Sequence, residues 1–296
     1  MKLSTRLLRW YDKEGRNLPW RHTKDPYRIL VSEVMLQQTQ VERVLLYYKE
    51  WIRRFPNWRV LAYAARADVL RAWAGLGYNR RAVMLHELAY KMFDRTFCTP
   101  TSVRDWGQLK GVGSYTARAV ALFSGQEVDL PIDTNIRRIL GRLLLNRFYA
   151  TPRSDPEIRK SAQALLDSTS RPADLVQALF DLAASVCTKR PNCDMCPLKD
   201  VCPAARAFLE GRVRTPRLTT RQSNERVRPG KKHPDRIYRG RILKMIREST
   251  HGMTCEQIVR SNILYATIGD RDWVEQMLHR MEKDGLIRRK GGRYIL

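Results

Sequence analysis

Acid is scarce in this 296-residue sequence: 30 Asp and Glu stand against 55 Lys and Arg, a formal net charge of +25 at pH 7. That imbalance argues against a cationic partner and for a polyanionic one, because each Lys or Arg seated on a phosphate releases a condensed counterion. A ribosome-associated protein or a merely basic surface would satisfy the same balance. The sequence also lacks any apolar run long enough to cross a bilayer. Its first residues, Met1-Lys-Leu-Ser-Thr-Arg6, lack the apolar core and cleavage site of a secretory signal. No membrane association is expected. Cysteine is sparse too, yet four of the six (Cys187, Cys193, Cys196 and Cys202) fall within sixteen residues. In an intracellular protein such clustering reads as a metal site before it reads as disulfides.

Convincing period-two alternation is missing from the first 205 residues. Apolar residues recur instead at helical spacing in Ile29–Leu36, Val41–Phe55, Val69–Ala74, Ala82–Met92, Ala117–Phe123, Ile136–Leu145 and Ala173–Val186. This part is expected to be all-α. From Arg212 to His233 apolar residues thin out and bases crowd in, which reads as an exposed linker, lying along a partner or merely solvated. Helical patterns then return at Ile237–Arg247, Cys255–Ile263 and Trp273–Asp284. Leu286–Leu296 reads as two short strands around a Lys-Gly-Gly turn. Three helices and a basic hairpin predict a winged-helix-like module, of a kind that binds DNA or serves as a protein adaptor.

Four local features carry chemistry. In Trp106–Phe123 a Gly-Val-Gly turn (Gly111, Val112, Gly113) joins two helical patterns; its N–H groups, with those of the helix that starts near Ser114, suit a phosphate. Glu33 is a lone carboxyl in the apolar run Ile29-Leu-Val-Ser-Glu-Val-Met-Leu36, where desolvation would raise its pKa and suit it to general acid work. Asp133 precedes a helical run, as an N-cap that stays ionised and rigidly aimed. One neutral and one ionised carboxyl is the pairing that glycosidic hydrolysis uses. Thr39 and Glu42 read as a capping box, which would put Gln37 and Gln38 at a helix junction. In the cysteine loop one C-x-x-C is flanked by single cysteines five residues away on either side, which suits an iron–sulfur cluster better than zinc, the alternative. Cys98 and Cys255 are expected to be buried thiols.

Seven motifs occur in order: Leu18-Pro-Trp-Arg21, Asp25-Pro-Tyr27, Ser32-Glu-Val-Met-Leu-Gln-Gln-Thr-Gln-Val41, Gly75-Leu-Gly-Tyr78, Gly111-Val-Gly-Ser-Tyr-Thr116, Asp133-x-Asn135-x-x-Arg138 and the cysteine loop. Over about residues 5–203 the chain resembles the helix-hairpin-helix DNA glycosylase superfamily, and within it the A/G-mismatch adenine DNA glycosylases. The resemblance implies a mainly α, two-lobed fold. Its parts would be an iron–sulfur cluster lobe (1–21 and 131–210), a six-helix barrel lobe with the hairpin (22–130), a basic linker (211–234) and the winged-helix-like domain (235–296). It implies a monofunctional enzyme that excises adenine mispaired with 8-oxoguanine or guanine. Glu33 would protonate adenine at N7 and Asp133 would stabilise or trap the oxocarbenium ion. Tyr115 stands where bifunctional relatives have lysine, so no strand-cleaving lyase activity is expected; Tyr115 would orient Asp133. Leu18, Trp20, Arg21, Leu36 and Asp181 would surround the extruded base. Gln37, Gln38 and Tyr78 would enter the stack, and Gly111, Gly113 and Ser114 would hold a phosphate. Cys187, Cys193, Cys196 and Cys202 would bind a structural [4Fe–4S] cluster that holds Lys189 and Arg190 against the backbone. The implied partner is mismatch-containing double-stranded DNA, bound by a cytoplasmic, nucleoid-associated monomer.

Four departures from the family pattern stand out. The first cysteine gap is five residues rather than six, Lys110 replaces the proline before the hairpin, and Thr134 stands where glycine is common. The C-terminal region does not resemble the Nudix-like domain that recognises 8-oxoguanine. A thymine or uracil glycosylase acting opposite guanine, and a non-catalytic iron–sulfur DNA-binding regulator, are the competing readings.

Overall fold

The computed structural model describes residues 2–94, 98–214, 227–261 and 270–296. Chain order runs α1 (Leu3–Glu14), α2 (Pro26–Leu36), α3 (Val41–Arg54), α4 (Trp58–Tyr63), α5 (Arg66–Ala72) and α6 (Arg80–Phe93). The Gly-Val-Gly turn joins α7 (Val103–Gly107) to α8 (Ser114–Ser124), followed by α9 (Thr134–Leu145), α10 (Asp155–Asp167), α11 (Pro172–Ser185) and α12 (Ala205–Leu209). Beyond the linker, α13 (Asp235–Glu248), α14 (Cys255–Val259) and α15 (Arg271–Lys283) lead into a hairpin of β1 (Arg288–Lys290) and β2 (Arg293–Ile295). Among the described residues no strand precedes Arg288, as the helical periodicity predicts. No helix among them is long and apolar enough to cross a membrane.

The chain forms two compact units, Met1–Glu33 with Pro100–Thr219, and Val34–Thr99 with Thr220–Leu296. In the first, the apolar stripes of α1, α9 and α11 close on one another through Leu7, Ile136, Leu140, Leu175, Leu179 and Leu182. Each such buried side chain stabilises by roughly 1.5–3 kcal/mol. The helix α10 joins this core through Ile158, Ala162, Leu165 and Leu166. In the second unit Trp51 packs edge-on against Phe55 and Trp73, with ring centroids 5.0 and 5.3 Å apart.

The C-terminal segment, also in the second unit, has the expected order of three helices and a hairpin. Tyr238 of α13 and Trp273 of α15 meet edge to face at 5.0 Å, over a core that includes Ile242, Met277 and Leu278. Lys290 pairs with Arg293 across the Gly291-Gly292 turn, and Met253 adds a bridge to Tyr294. The middle helix α14 ends at Val259, so Arg260 and Ser261 fall outside it although a helix to Ile263 is expected; residues 262–263 of that expected helix and 215–226 of the expected linker lie outside the described residues.

Two local expectations are corrected. Gln40, not Thr39, is the N-cap of α3 and makes no side-chain cap; the Thr39 hydroxyl donates to the carbonyl of Gln37 at 3.3 Å. Cys98 is exposed and Cys255 half-buried rather than buried. Cys98 lies outside any helix or strand, with no helix face to bury it, and Cys255 opens α14 beside the capping box of Thr254 and Gln257.

Candidate active site and cysteine loop

Within the first unit three elements bring Glu33, Tyr115 and Asp133 together. The apolar run of α2 carries Glu33 into the interior, where it is 7% exposed. Burial pushes its carboxyl up to about 7; the Tyr115 hydroxyl, which donates to it, opposes that rise, and the charge of Asp133 adds to it. Burial also pushes the Tyr115 phenol well above 10, and the negative charges of Glu33 and Asp133 reinforce this. The phenol is therefore a fixed donor. Asp133 is the N-cap of α9: Oδ1 accepts from the backbone N–H groups of Asn135 (2.8 Å) and Ile136 (2.7 Å), and Oδ2 from the Asn135 amide (2.9 Å). A protonatable acid thus faces a rigidly held carboxylate.

That carboxylate is tied onward to the cysteine loop. The Asn135 side-chain oxygen accepts from Arg138 Nη1 at 3.0 Å; Arg138 Nε donates to the carbonyl of Cys187 at 2.8 Å and Nη2 to that of Ala183 at 2.7 Å. One turn further along α9, Arg142 is 2% exposed. It donates to Cys187 Sγ at 3.4 Å and to the carbonyl of Thr188 at 2.7 Å, with its guanidinium 4.6 Å from the Phe208 ring. Cys187, Cys193, Cys196 and Cys202 line one small cavity together with Arg142, Val186, Ala205 and Phe208. Burial pushes the Cys196 thiol up to about 11 and raises Cys193 and Cys202 as well. Among the described residues no three His, Cys, Asp or Glu side chains converge as ligands of a single ion would.

Asp181, expected beside a base, is 3% exposed and fully engaged. Arg21 grips it through both Nη atoms at 2.7 Å, while Arg16 adds its backbone N–H at 2.8 Å and Nε at 2.7 Å. Burial works to raise its pKa, but these donors outweigh burial and hold it below the usual carboxylate range. Leu18 and Trp20 are buried at 5% exposure each. In the hairpin, Gly111 has φ 90°, a conformation that disfavours other residues. Lys110, Gly113 and Ser114 are exposed around it, and Arg118 braces the turn by donating to the carbonyl of Ser114 at 2.9 Å and to Asp129 at 2.8 Å.

The second unit holds Leu36, Gln37, Gln38 and Tyr78. Gln37 and Gln38 are exposed and Leu36 is half-buried. Gln38 and Tyr78 both adopt left-handed backbone, φ 56° and 46°. Gly75, at φ 102°, lies against Tyr47, whose hydroxyl would sit 2.1 Å from an added Cβ. Nearly buried Arg81 clips the two segments together. Its Nη1 donates to the carbonyls of Val34 and Gln37, both at 2.7 Å, and its Nη2 to those of Leu76 (3.3 Å) and Gly77 (3.2 Å). The sequence reading gave no role to Arg16, Arg81 or Arg142. A basic residue among apolar ones at helical spacing, as at Arg142 in Ile139-Leu-Gly-Arg-Leu-Leu-Leu145, was the one signal available.

The HhH-GPD superfamily of base excision DNA repair proteins matches residues 31–168. An adenine DNA glycosylase of Mycobacterium tuberculosis is 38% identical over 296 residues, covering 99% of this chain and 92% of that protein. A human adenine DNA glycosylase is 39% identical over 212 residues, 67% of this chain and 38% of its own length. Among solved structures, a thermostable thymine-DNA glycosylase superposes with a TM-score of 0.62 at 25% identity, covering 69% of this chain and 94% of that one. A trapped endonuclease III–DNA intermediate gives 0.57 at 17% identity over 70% of this chain and 95% of its own, a likeness of fold.

Proposed function

This chain belongs to the adenine DNA glycosylases of the HhH-GPD superfamily, and from that premise we propose that Glu33 and Asp133 excise adenine mispaired with 8-oxoguanine or guanine. The enzyme is an N-glycosylase of base excision repair. In the proposed reaction, water replaces the base at the anomeric carbon, and the proton that water gives up returns to the Glu33 carboxylate left after the base is protonated. Glu33, protonated below about pH 7, gives its proton to N7 as the glycosidic bond breaks and the bonding electrons leave with the adenine. Asp133 faces the cationic sugar. Tyr115, donating to Glu33, fixes the acid; lacking an amine, it forms no Schiff base, so strand cleavage is not expected. The single observation that carries this reading is a buried carboxyl with a raised pKa beside an N-capping aspartate held by two backbone N–H groups.

Gln37, Gln38 and Tyr78 are proposed to enter the duplex at the mispair, and Gly111, Gly113 and Ser114 to seat a phosphate. Leu18, Trp20, Arg21 and Leu36 are assigned to the base pocket, with Asp181 acting through Arg21. The four thiols around one cavity, with one C-x-x-C flanked by single cysteines five residues away on either side, favour a [4Fe–4S] cluster over zinc. Such a cluster would be structural, cross-linking the loop that carries Lys189 and Arg190. The enzyme is proposed to act as a monomer.

The test is a panel of duplexes (A·8-oxoguanine, A·G, T·G and U·G) treated with enzyme and then alkali. Cleavage at adenine is expected, and removal of only thymine or uracil would overturn the assignment. The fold likeness to a thymine-DNA glycosylase is the reason for including T·G.

A further inference from the structure

The helix α13 of the C-terminal module carries five bases (Arg236, Arg239, Arg241, Lys244 and Arg247) against two acids, whereas α15 has three of each. In a three-helix-plus-hairpin module the third helix is the usual reader of DNA. Here charge points to the first. Arg236, Gly240, Lys244 and Arg247 follow one another at spacings of four, four and three residues, which places them on a single helix face. Arg236, Gly240 and Lys244 are exposed and Arg247 half-exposed. The opposite face, through Tyr238, Ile242 and Ile246, is buried in the module.

Gly240 is the telling residue. Glycine inside a helix is unfavourable relative to alanine, so it calls for a compensating reason. Gly141 of α9 has one, since an added Cβ there would lie 2.5 Å from Ala150 Cβ; at Gly240 an added Cβ would meet nothing within 4 Å. No packing among the described residues requires it. A partner's backbone lying close along the stripe would.

The position of α13 identifies that partner. The Arg236 guanidinium lies 5.4 Å from the centre of the Tyr78 ring. Asp284, at the end of α15, accepts from Arg80 at 3.0 Å and also from Arg239, so α13 is bolted to the start of α6, two residues beyond Tyr78. We infer that α13 is a second duplex-binding element, whose Arg236–Gly240–Lys244–Arg247 face lies against the phosphates flanking the mispair. The inference rests on the reading of Tyr78 as a residue that enters the duplex. From Arg236 to Arg247 the stripe spans about 16 Å, or roughly five phosphates of one strand.

The test uses the full-length, cluster-loaded enzyme and a 30-base-pair duplex carrying a non-hydrolysable adenosine analogue opposite 8-oxoguanine. Affinity is measured from 50 to 200 mM salt. Lys244→Ala with Arg247→Ala is expected to weaken binding at least tenfold at the lower salt. It should also flatten the log–log salt slope by about 1.8, since each phosphate contact contributes about 0.9. Gly240→Ala is expected to raise the Tm by roughly 2 °C while weakening binding at least threefold, a pairing that a purely structural glycine would not give. If the double variant is misfolded by circular dichroism, the Gly240→Ala result decides alone. Unchanged affinity and slope in folded variants would overturn the inference. Failure of the wild type to release a base from the panel would instead sink the glycosylase reading, and the binding curves would still report on α13.

Discussion

A carboxyl that must be neutral to act imposes its own pH dependence. Because Glu33 titrates near 7, single-turnover excision is expected to fall about tenfold per pH unit above that value. Glu33→Gln should lose on the order of a hundredfold or more and show no such fall. The same shift sets a stability effect of known sign. The folded pKa is raised above the ordinary 4.5, so the folded state holds the proton more tightly, and stability falls as pH rises from about 4.5 to about 7. That span corresponds to about 3 kcal/mol. Glu33→Gln, neutral throughout, should therefore unfold at higher urea than wild type at pH 8 and at nearly the same urea at pH 5. A variant more stable and inactive at pH 8 would mark a site held under strain; equal midpoints at both pH values would refute the buried acid. Asp133→Asn is the complementary case. Asparagine caps helices about as well as aspartate, so unfolding should barely move and DNA binding should persist, while excision is lost with the charge. Asp181→Ala should cost about 3–5 kcal/mol by leaving the buried charge of Arg21 without its counterion, read from urea unfolding.

Between elements, arginine forks do what the hydrophobic pattern cannot. The clip made by Arg81 joins the end of α2 to the Leu76-Gly77 turn through carbonyl oxygens alone, and only a planar fork reaches both segments at once. Arg81→Lys is expected to leave excision from a single-stranded-like, bulged adenine nearly unchanged but to slow excision from a fully paired A·G duplex by at least tenfold, in single-turnover assays. Equal slowing on both would assign Arg81 to packing only. These forks also mark the boundary of what the chain reveals as text. The helices α2, α3, α6, α9 and α11 are legible because their apolar faces repeat strongly, and Glu33 stands out as a charge within such a face, as Asp181 and Arg142 do. The helix α10 is hard to read because small Ala162 weakens its stripe, and α4 because six residues are too few for a period to declare itself. Arg81, Arg138 and Arg142 are illegible in role, since most of their partners are backbone carbonyls, groups that every residue supplies. Cys98 is exposed against expectation because composition says how often a thiol is buried and not whether a packed face is there to receive it.

At the scale of the whole molecule, the net charge of +25 acts as one field on one polyanion, and it bears equally on every sequence. Affinity at low salt should then discriminate poorly among duplexes, with choice exercised where a base is extruded and protonated. If six to ten phosphates are contacted, affinity for an undamaged duplex is expected to fall about 10³–10⁵-fold between 50 and 200 mM salt. The excision rate at saturating enzyme, which depends on the Glu33 and Asp133 geometry, should change far less over the same range. Titrating one matched and one A·8-oxoguanine duplex in parallel separates the two contributions. The matched duplex should lose affinity at least as steeply, because phosphate contacts are all it offers, while base-dependent contacts sustain the mispair as salt rises. A salt response near zero for both would mean that the excess of Lys and Arg serves solubility rather than DNA, and the search for specificity would have to begin with affinity instead of rate.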